Sequence, residues 1–235
     1  MRELGFQGAT LFADFWIWGD TLGDGRAIGA DLAATDMRLA SVVTRVDTKL
    51  DRYRRLADVV RSLDSVHLVV IGGGGHTDQG ISRLAGLLDR IGAVTRDRGI
   101  RLSYHHHTDT IGEGYEAVRK LLDRTDPEAV GLDFDVGHAT KDFTELPIVG
   151  RAQTAFDAFR DRVVLVELKD WTAATDLDTA VGDGTANVPA FLRRLSDARY
   201  RDWLIVEQND DIGRSPDEKL ACARRSLRAI AGGTL

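Results

Sequence analysis

Seven short runs rich in valine, isoleucine and leucine recur along this chain, and segments of helical period lie between them. The runs fall at residues 8–12, 38–43, 66–71, 101–105, 130–134, 163–168 and 203–207. Strands covered on both faces read as near-continuous apolar runs of this kind. Between them, Leu56, Val60 and Leu63 share one helical face, as do Ile81, Leu84, Leu88 and Ile91. Gly99 stands where a helix C-cap is expected, and Asn187 with Pro189 opens a helix carrying Phe191, Leu192 and Leu195. Ser215, Pro216 and Glu218 make a capping box for a last helix, whose face is Leu220, Ala223, Leu227 and Ile230.

Repeated βα units imply an α/β fold with a parallel sheet and right-handed crossovers. A doubly wound sheet and a barrel both satisfy that pattern. Polar residues just beyond many different strands favour the (β/α) TIM-type barrel, whose active site collects from all strand C-termini. The expectation is one such domain over residues 1–235. The strand count is seven, however, and residues 1–5 read as the tail of a helix with no strand ahead of it. A barrel lacking its first strand is therefore expected, open at that place. An open edge exposes unpaired backbone groups and invites pairing with another chain, so a homodimer with its interface near the gap is expected.

Charge and composition narrow the partners. A net charge of −6 argues against a nucleic-acid surface, which normally shows a basic stripe. No apolar run approaches the ~20 residues that span a bilayer, and the first residues lack the apolar core of a signal peptide. The single cysteine, Cys222, cannot form an internal disulfide. A cytoplasmic protein acting on a small molecule, with no nucleic-acid or membrane partner, is the expectation.

The ends of the last four strands carry the chemistry. They read His105-His106-His107, then Asp133-Phe134-Asp135-Val136-Gly137-His138, then Val166-Glu167-Leu168-Lys169-Asp170, and finally Ile205-Val206-Glu207. A mixed nitrogen and oxygen set suits Mn²⁺, Co²⁺, Fe²⁺, Zn²⁺ or Ni²⁺ better than a hard-cation oxygen cage does. Because strand side chains alternate, His105 and His107 share the inward face and His106 turns away. His138 is either a catalytic group or a residue that orients Asp135. Glu167 is open to a plainer reading, as a salt-bridge partner of Lys169 or Arg162.

Taken in order and spacing, these segments and the loop Gly182-Asp183-Gly184-Thr185 resemble the xylose-isomerase-like TIM barrels of the sugar isomerase/epimerase group, closest to the inosose-dehydratase-like branch. The resemblance runs from Leu4 onward. It implies one divalent metal ion, Mg²⁺ included among the possibilities, held at His105, Asp135, Glu167 and Glu207. Two positions depart from the family pattern. His105 stands where many epimerases have glutamate, and Glu167 stands where the family usually has the histidine of a His-x-Lys-Asp strand.

The resemblance also implies proton abstraction next to a metal-bound carbonyl of a small polyhydroxylated substrate, a sugar or cyclitol. The leading expectation is isomerisation or epimerisation. The alternative is an inosose-dehydratase-like lyase, in which the same first step is followed by loss of water. A further alternative is a diverged, non-catalytic metal- or sugar-binding barrel. With the usual first glutamate missing, the family's two-glutamate arrangement cannot be copied. Glu167 and Glu207 then pair in its place, or His107 or His138 acts as base or acid, with Lys169 steadying an oxyanion and Asp170 fixing the lysine. His76, after Gly72-Gly73-Gly74-Gly75, and Trp16 and Trp18 are expected to line the substrate pocket. The glycine run lacks the endings of a phosphate loop or a dinucleotide site.

Overall fold

The computed structural model describes residues 1–13, 23, 25–74, 76–209 and 213–232. The seven strands are β1 (Gly8–Ala13), β2 (Arg38–Arg45), β3 (His67–Ile71), β4 (Arg101–His105), β5 (Val130–Asp135), β6 (Val163–Leu168) and β7 (Leu204–Val206). They form one sheet in chain order, every neighbouring pair parallel. Among the described residues no ladder joins β7 to β1. The result is a TIM-type barrel, nearly closed, with one seam.

Eight helices lie outside: α1 (Arg26–Ala34), α2 (Leu50–Ser62), α3 (Asp78–Arg96), α4 (Tyr115–Asp123), α5 (Val136–Asp142), α6 (Arg151–Phe159), α7 (Val188–Asp197) and α8 (Pro216–Gly232). Burial between sheet and helices divides into two apolar clusters. One gathers Val42, Leu68, Val70 and Leu102 under Leu84, Leu88 and Ile91 of α3. The other sets Phe134, Val166 and Leu168 against Phe156, Phe191 and Leu192. Inside the barrel a third, smaller cluster of Val43, Val69 and Leu165 packs with Ile71, Trp203 and Ile205. A side chain on each strand thus points either to helices or to the barrel interior, and the catalytic positions belong to the interior register.

None of the described helices is long and apolar enough to cross a membrane. Helix α3 packs so closely that Gly92 is required: a Cβ there would lie 2.4 Å from the carbonyl oxygen of Ala129. Helix propensity favours alanine by about 1 kcal/mol, but the contact is with backbone and cannot yield cheaply. Gly92→Ala is expected to destabilise the barrel by about 1–3 kcal/mol, read as a lower urea midpoint with an unchanged slope. An unchanged or raised midpoint would show that the loop before β5 moves freely.

The capping box forms as expected. Ser215 Oγ accepts from the Glu218 backbone N–H, and Glu218 Oε2 accepts from the Ser215 N–H at 2.8 Å. The expected apolar face of α8 does not bury as expected. Leu220, Ala223, Leu227 and Ile230 are only half-buried, whereas Cys222 and Ser226 are covered. The reason is the seam beside it. A cavity of about 670 Å³ opens between β1 and β7, and Leu227 and Ile230 line it. At one point Trp203 bridges the opening, its ring so close to Gly8 that a Cβ there would sit 2.8 Å from it. The inner end of the cavity reaches Glu167 and Glu207.

Candidate active site

Strand ends on one rim bring five acidic and basic groups together. His105 closes β4, Asp133 and Asp135 lie on the inner face of β5, Glu167 lies on β6, and Glu207 follows β7. Ladder pairing sets His105 opposite Asp133, and Asp135 opposite Glu167, which is opposite Ile205. Three overlapping groups each gather ligand atoms within 4.8 Å of one another: His105 with Asp135 and His138, His105 with Asp133 and Glu167, and Asp135 with Glu167 and Glu207. No one of these groups holds all four of His105, Asp135, Glu167 and Glu207.

Lys169 occupies the middle of the carboxylates. Its Nζ lies 3.3 Å from Asp135 Oδ2 and 3.2 Å from Glu207 Oε2, and its side chain is buried. Burial opposes the ammonium charge, but Asp135, Glu207 and Glu167 together outweigh it and raise the lysine above its ordinary value. Burial likewise opposes ionisation of Asp135, yet Lys169 and the surrounding histidines hold that carboxyl below the usual range. Lys169 is thus a fixed cation in this structure.

Glu167 and Glu207 part company. Burial first, then the charges of Asp133, Glu207 and Asp135, push the Glu167 carboxyl well above its ordinary value. For Glu207 burial acts the same way, but Lys169 and a hydrogen bond from Glu167 outweigh it, and the carboxyl lies below its ordinary value. A carboxyl pushed above its ordinary value beside one held below it is the arrangement in which one group can give a proton and the other take it. The Glu207 side chain remains a third exposed, on the way to the seam.

The histidines divide their roles by register. His105 Nδ1 lies 3.2 Å from Asp133 Oδ2 and 3.7 Å from Glu167 Oε2. Burial disfavours its charge, but the Asp133 hydrogen bond and charge raise it above its ordinary value. His106 turns to the sheet–helix core, between Phe134 and Phe143, and its Nε2 accepts the Asp135 backbone N–H at 3.0 Å. His107 lies just beyond the strand, half-buried, with Nδ1 on the Thr108 carbonyl and its ring 4.1 Å from that of His138. His138 enters from the first turn of α5, where Asp135 is the N-cap and accepts the His138 backbone N–H at 2.8 Å.

Asp170 does not hold the lysine, contrary to the expectation from sequence. Its two oxygens accept the backbone N–H groups of Trp171, Gly182, Gly184 and Ala186 at 2.9–3.1 Å. Consecutive residues point to opposite sides, so Asp170 faces the following loop and leaves Lys169 to Asp135 and Glu207. The Gly182–Thr185 segment is tied to β6 this way, and a Cβ at Gly184 would lie 2.1 Å from Asp170 Oδ1. Arg162, considered as a partner for Glu167, lies at the other end of β6 and donates to Leu122, Thr125 and Val130.

Three groups close to the site escaped the sequence reading. Asp133 was quoted within its motif without a role, although alternation alone places it on the inner face beside Asp135. Asp142 and Thr108 hold His138, and of these only Asp142, four residues on along a helix, left a spacing signal. His76 is exposed on the loop between β3 and α3, with no hydrogen bond or ring contact to the cluster among the described residues. Trp16 and Trp18 lie outside the described residues.

The family model described as "Xylose isomerase-like TIM barrel" matches residues 2–230. Over 168 residues the chain is 28% identical to Inosose dehydratase 2 of Bacillus cereus, which covers 66% of this chain and 56% of that protein. The chain spans about half the length of the curated relatives it matches. A sugar phosphate isomerase/epimerase from Parabacteroides distasonis superposes with a TM-score of 0.76 at 17% identity, over 100% of this chain and 87% of the other. A xylose isomerase-like TIM barrel protein from Mycobacterium smegmatis, solved in complex with magnesium, superposes with a TM-score of 0.72 at 17% identity, over 100% and 87% of the two chains. At that identity the superpositions carry the fold alone.

Proposed function

The chain belongs to the xylose isomerase-like TIM barrel family, and from that premise we propose that it is a divalent-metal-dependent lyase removing water from a small polyhydroxylated ketone. The observation that carries this reading is the Glu167–Glu207 pair, two carboxyl groups at the ends of adjacent strands that line the same cavity. The similarity to an inosose dehydratase supports the same reaction class.

The donor set fits a divalent cation. Glu167 Oε2, Asp133 Oδ1 and His138 Nε2 are buried without a hydrogen-bond partner, Asp135 Oδ2 has only the Lys169 ammonium at 3.3 Å, and such atoms carry a desolvation cost that a cation would relieve. His105 and Asp135 are the residues that would hold it, with Glu167 and Glu207 beside it. When bound, the cation supplies Lewis-acid polarisation of the substrate carbonyl.

This chain's own residues do the rest. Glu207 takes the proton from the carbon next to the carbonyl. Glu167 gives its proton to the hydroxyl on the next carbon, which leaves as water as the carbon–carbon double bond forms. Glu207 is then protonated and Glu167 ionised, and the hydrogen bond between them returns the proton to Glu167 for the next cycle. Both transfers occur on one face of the substrate. Epimerisation needs a second group on the opposite face. The close ring pair of His107 and His138, 4.1 Å between centroids, is the one observation that favours it, as a second candidate proton carrier at the same rim.

The test is incubation of the metal-loaded protein with a panel of inososes and ketoses in deuterated water, followed by mass spectrometry. Loss of one water with formation of an unsaturated or deoxy ketone is expected on an inosose. Deuterium incorporation with all oxygens retained, on every substrate of the panel, would replace the lyase reading with the epimerase one. No turnover of any kind would favour a binding barrel.

A further inference from the structure

We propose that His138 is a ligand of the divalent cation through Nε2, so that the ion sits on the histidine side of Asp135 in a His105–Asp135–His138 triad. This rests on the metal-dependent reading above.

The argument starts from which ring nitrogen is free. His138 Nδ1 lies 3.0 Å from Asp142 Oδ2 and 3.1 Å from Thr108 Oγ1, and Thr108 Oγ1 donates to the same Asp142 oxygen at 2.8 Å. A carboxylate only accepts, and its 3.0 Å contact is shorter than the 3.4 Å approach of the Thr108 backbone N–H to the same nitrogen, so Nδ1 carries the ring proton and Nε2 keeps the lone pair. His138 Nε2 is buried and has no partner. A ring nitrogen of this histidine lies within 4.8 Å of ligand atoms of both His105 and Asp135, and with Nδ1 committed to Asp142 the nitrogen left with a lone pair for an ion is Nε2. A metal-binding histidine that donates its other N–H to a carboxylate is the common arrangement, because the carboxylate fixes both tautomer and ring orientation.

Charge placement points to the same side. The two candidate corners of the site share Asp135. On the Glu207 side, Lys169 already lies between Asp135 and Glu207 at 3.2–3.3 Å, so a second cation would stand against a fixed ammonium. On the histidine side, among the described residues, no ion pair joins a Lys or Arg to His138, and Asp135 and His138 are locked together by the backbone bond that caps α5. The division leaves Glu167 and Glu207 free for proton transfer. Two imidazoles and one carboxylate also set a preference. That donor set favours a first-row transition ion over Mg²⁺, which prefers oxygen ligands and octahedral hydration. Asp142 and Thr108 are positioning residues, acting on the ion only through His138.

The experiment is titration of chelator-treated protein with Co²⁺ and with Mg²⁺, followed calorimetrically and by cobalt d–d absorption, with X-ray absorption on the Co²⁺-loaded form. One Co²⁺ per chain is expected, bound at least ~100-fold more tightly than Mg²⁺, with two imidazoles in its shell. His138→Gln is expected to weaken Co²⁺ binding by ~100-fold and leave one imidazole, and Asp142→Asn to weaken it by ~10-fold with two retained. The wild-type imidazole count keeps the proposal testable if either variant fails to fold. One imidazole in the wild type, with Co²⁺ affinity unchanged in His138→Gln, would overturn the ligand assignment while leaving metal dependence in place. Absence of binding by either ion in the wild type would instead sink the metal-dependent reading itself.

Discussion

Glu207→Gln is expected to lower kcat for water loss by about 10³-fold, within the range that a positioned general base supplies. The amide keeps the shape of the side chain and can still accept from Lys169, so the substrate pocket and KM should change little. What it cannot do is take a proton. A fall in kcat with KM preserved is the signature of a contact used only in the transition state. Its neighbour also loses its counterpart: without an ionised group beside it, Glu167 has nowhere to recover its proton after each turnover. A single-turnover experiment distinguishes the two losses, because recovery affects only the second and later cycles. A drop smaller than about tenfold would remove Glu207 from the base role. Unchanged Co²⁺ affinity in the same variant would agree with an ion held on the histidine side of Asp135.

Asp135→Asn is expected to be the most damaging change to stability. The carboxylate is fully buried and faces Lys169 Nζ, and removing it leaves that buried ammonium to Glu207 alone, at up to about 3–5 kcal/mol. Asparagine still caps α5, so the loss should come from charge and not from the helix start. Adding Lys169→Met to Asp135→Asn should restore part of the stability, since the two residues are coupled but Glu207 then loses its own cation. Urea unfolding of the two single variants and the double variant measures the coupling. The pH dependence has a definite sign. The Asp135 carboxyl is held below its ordinary value in the folded state, so its contribution is present above the unfolded carboxyl value, about 3.9. That contribution is lost only as the pH falls through the lower folded value. The asparagine variant should therefore lose part of the wild type's slope of stability against pH in acid. Additive single effects in the double variant would show that Asp135 and Lys169 do not depend on each other.

Much of this architecture could be read from residue order because parallel strands covered on both faces are apolar runs, and there are seven of them. Their ends agree with the expected ones to within two residues. The shortest, β7, stops at Val206, so the expected Trp203 and Glu207 flank it. The open seam was also legible, as a strand count one short of a closed barrel. Its effect on α8 was not, since a periodic face says which residues are apolar and not whether anything stands opposite them. At the site, alternation placed His105 inward and His106 outward correctly in register. The error over Asp170 came from setting that rule aside for a neighbour in sequence. Thr108 and Asp142 stand 34 residues apart and meet only because a loop and a helix start converge at one rim. Spacing along one chain cannot reveal such a meeting.

Lys169 has a consequence for how such a protein lives with scarce metal. In many small metal-binding domains the ion is part of the folding free energy, and a chelated chain unfolds. Here Asp135 and Glu207 already share an ammonium of their own, so a chelated chain is expected to keep its fold, read as a cooperative urea transition after chelator treatment. Metal supply would then set how many molecules work and leave unchanged how many survive. On the metal-dependent reading, a chain that has lost its ion would regain activity when the ion returns, with no new synthesis.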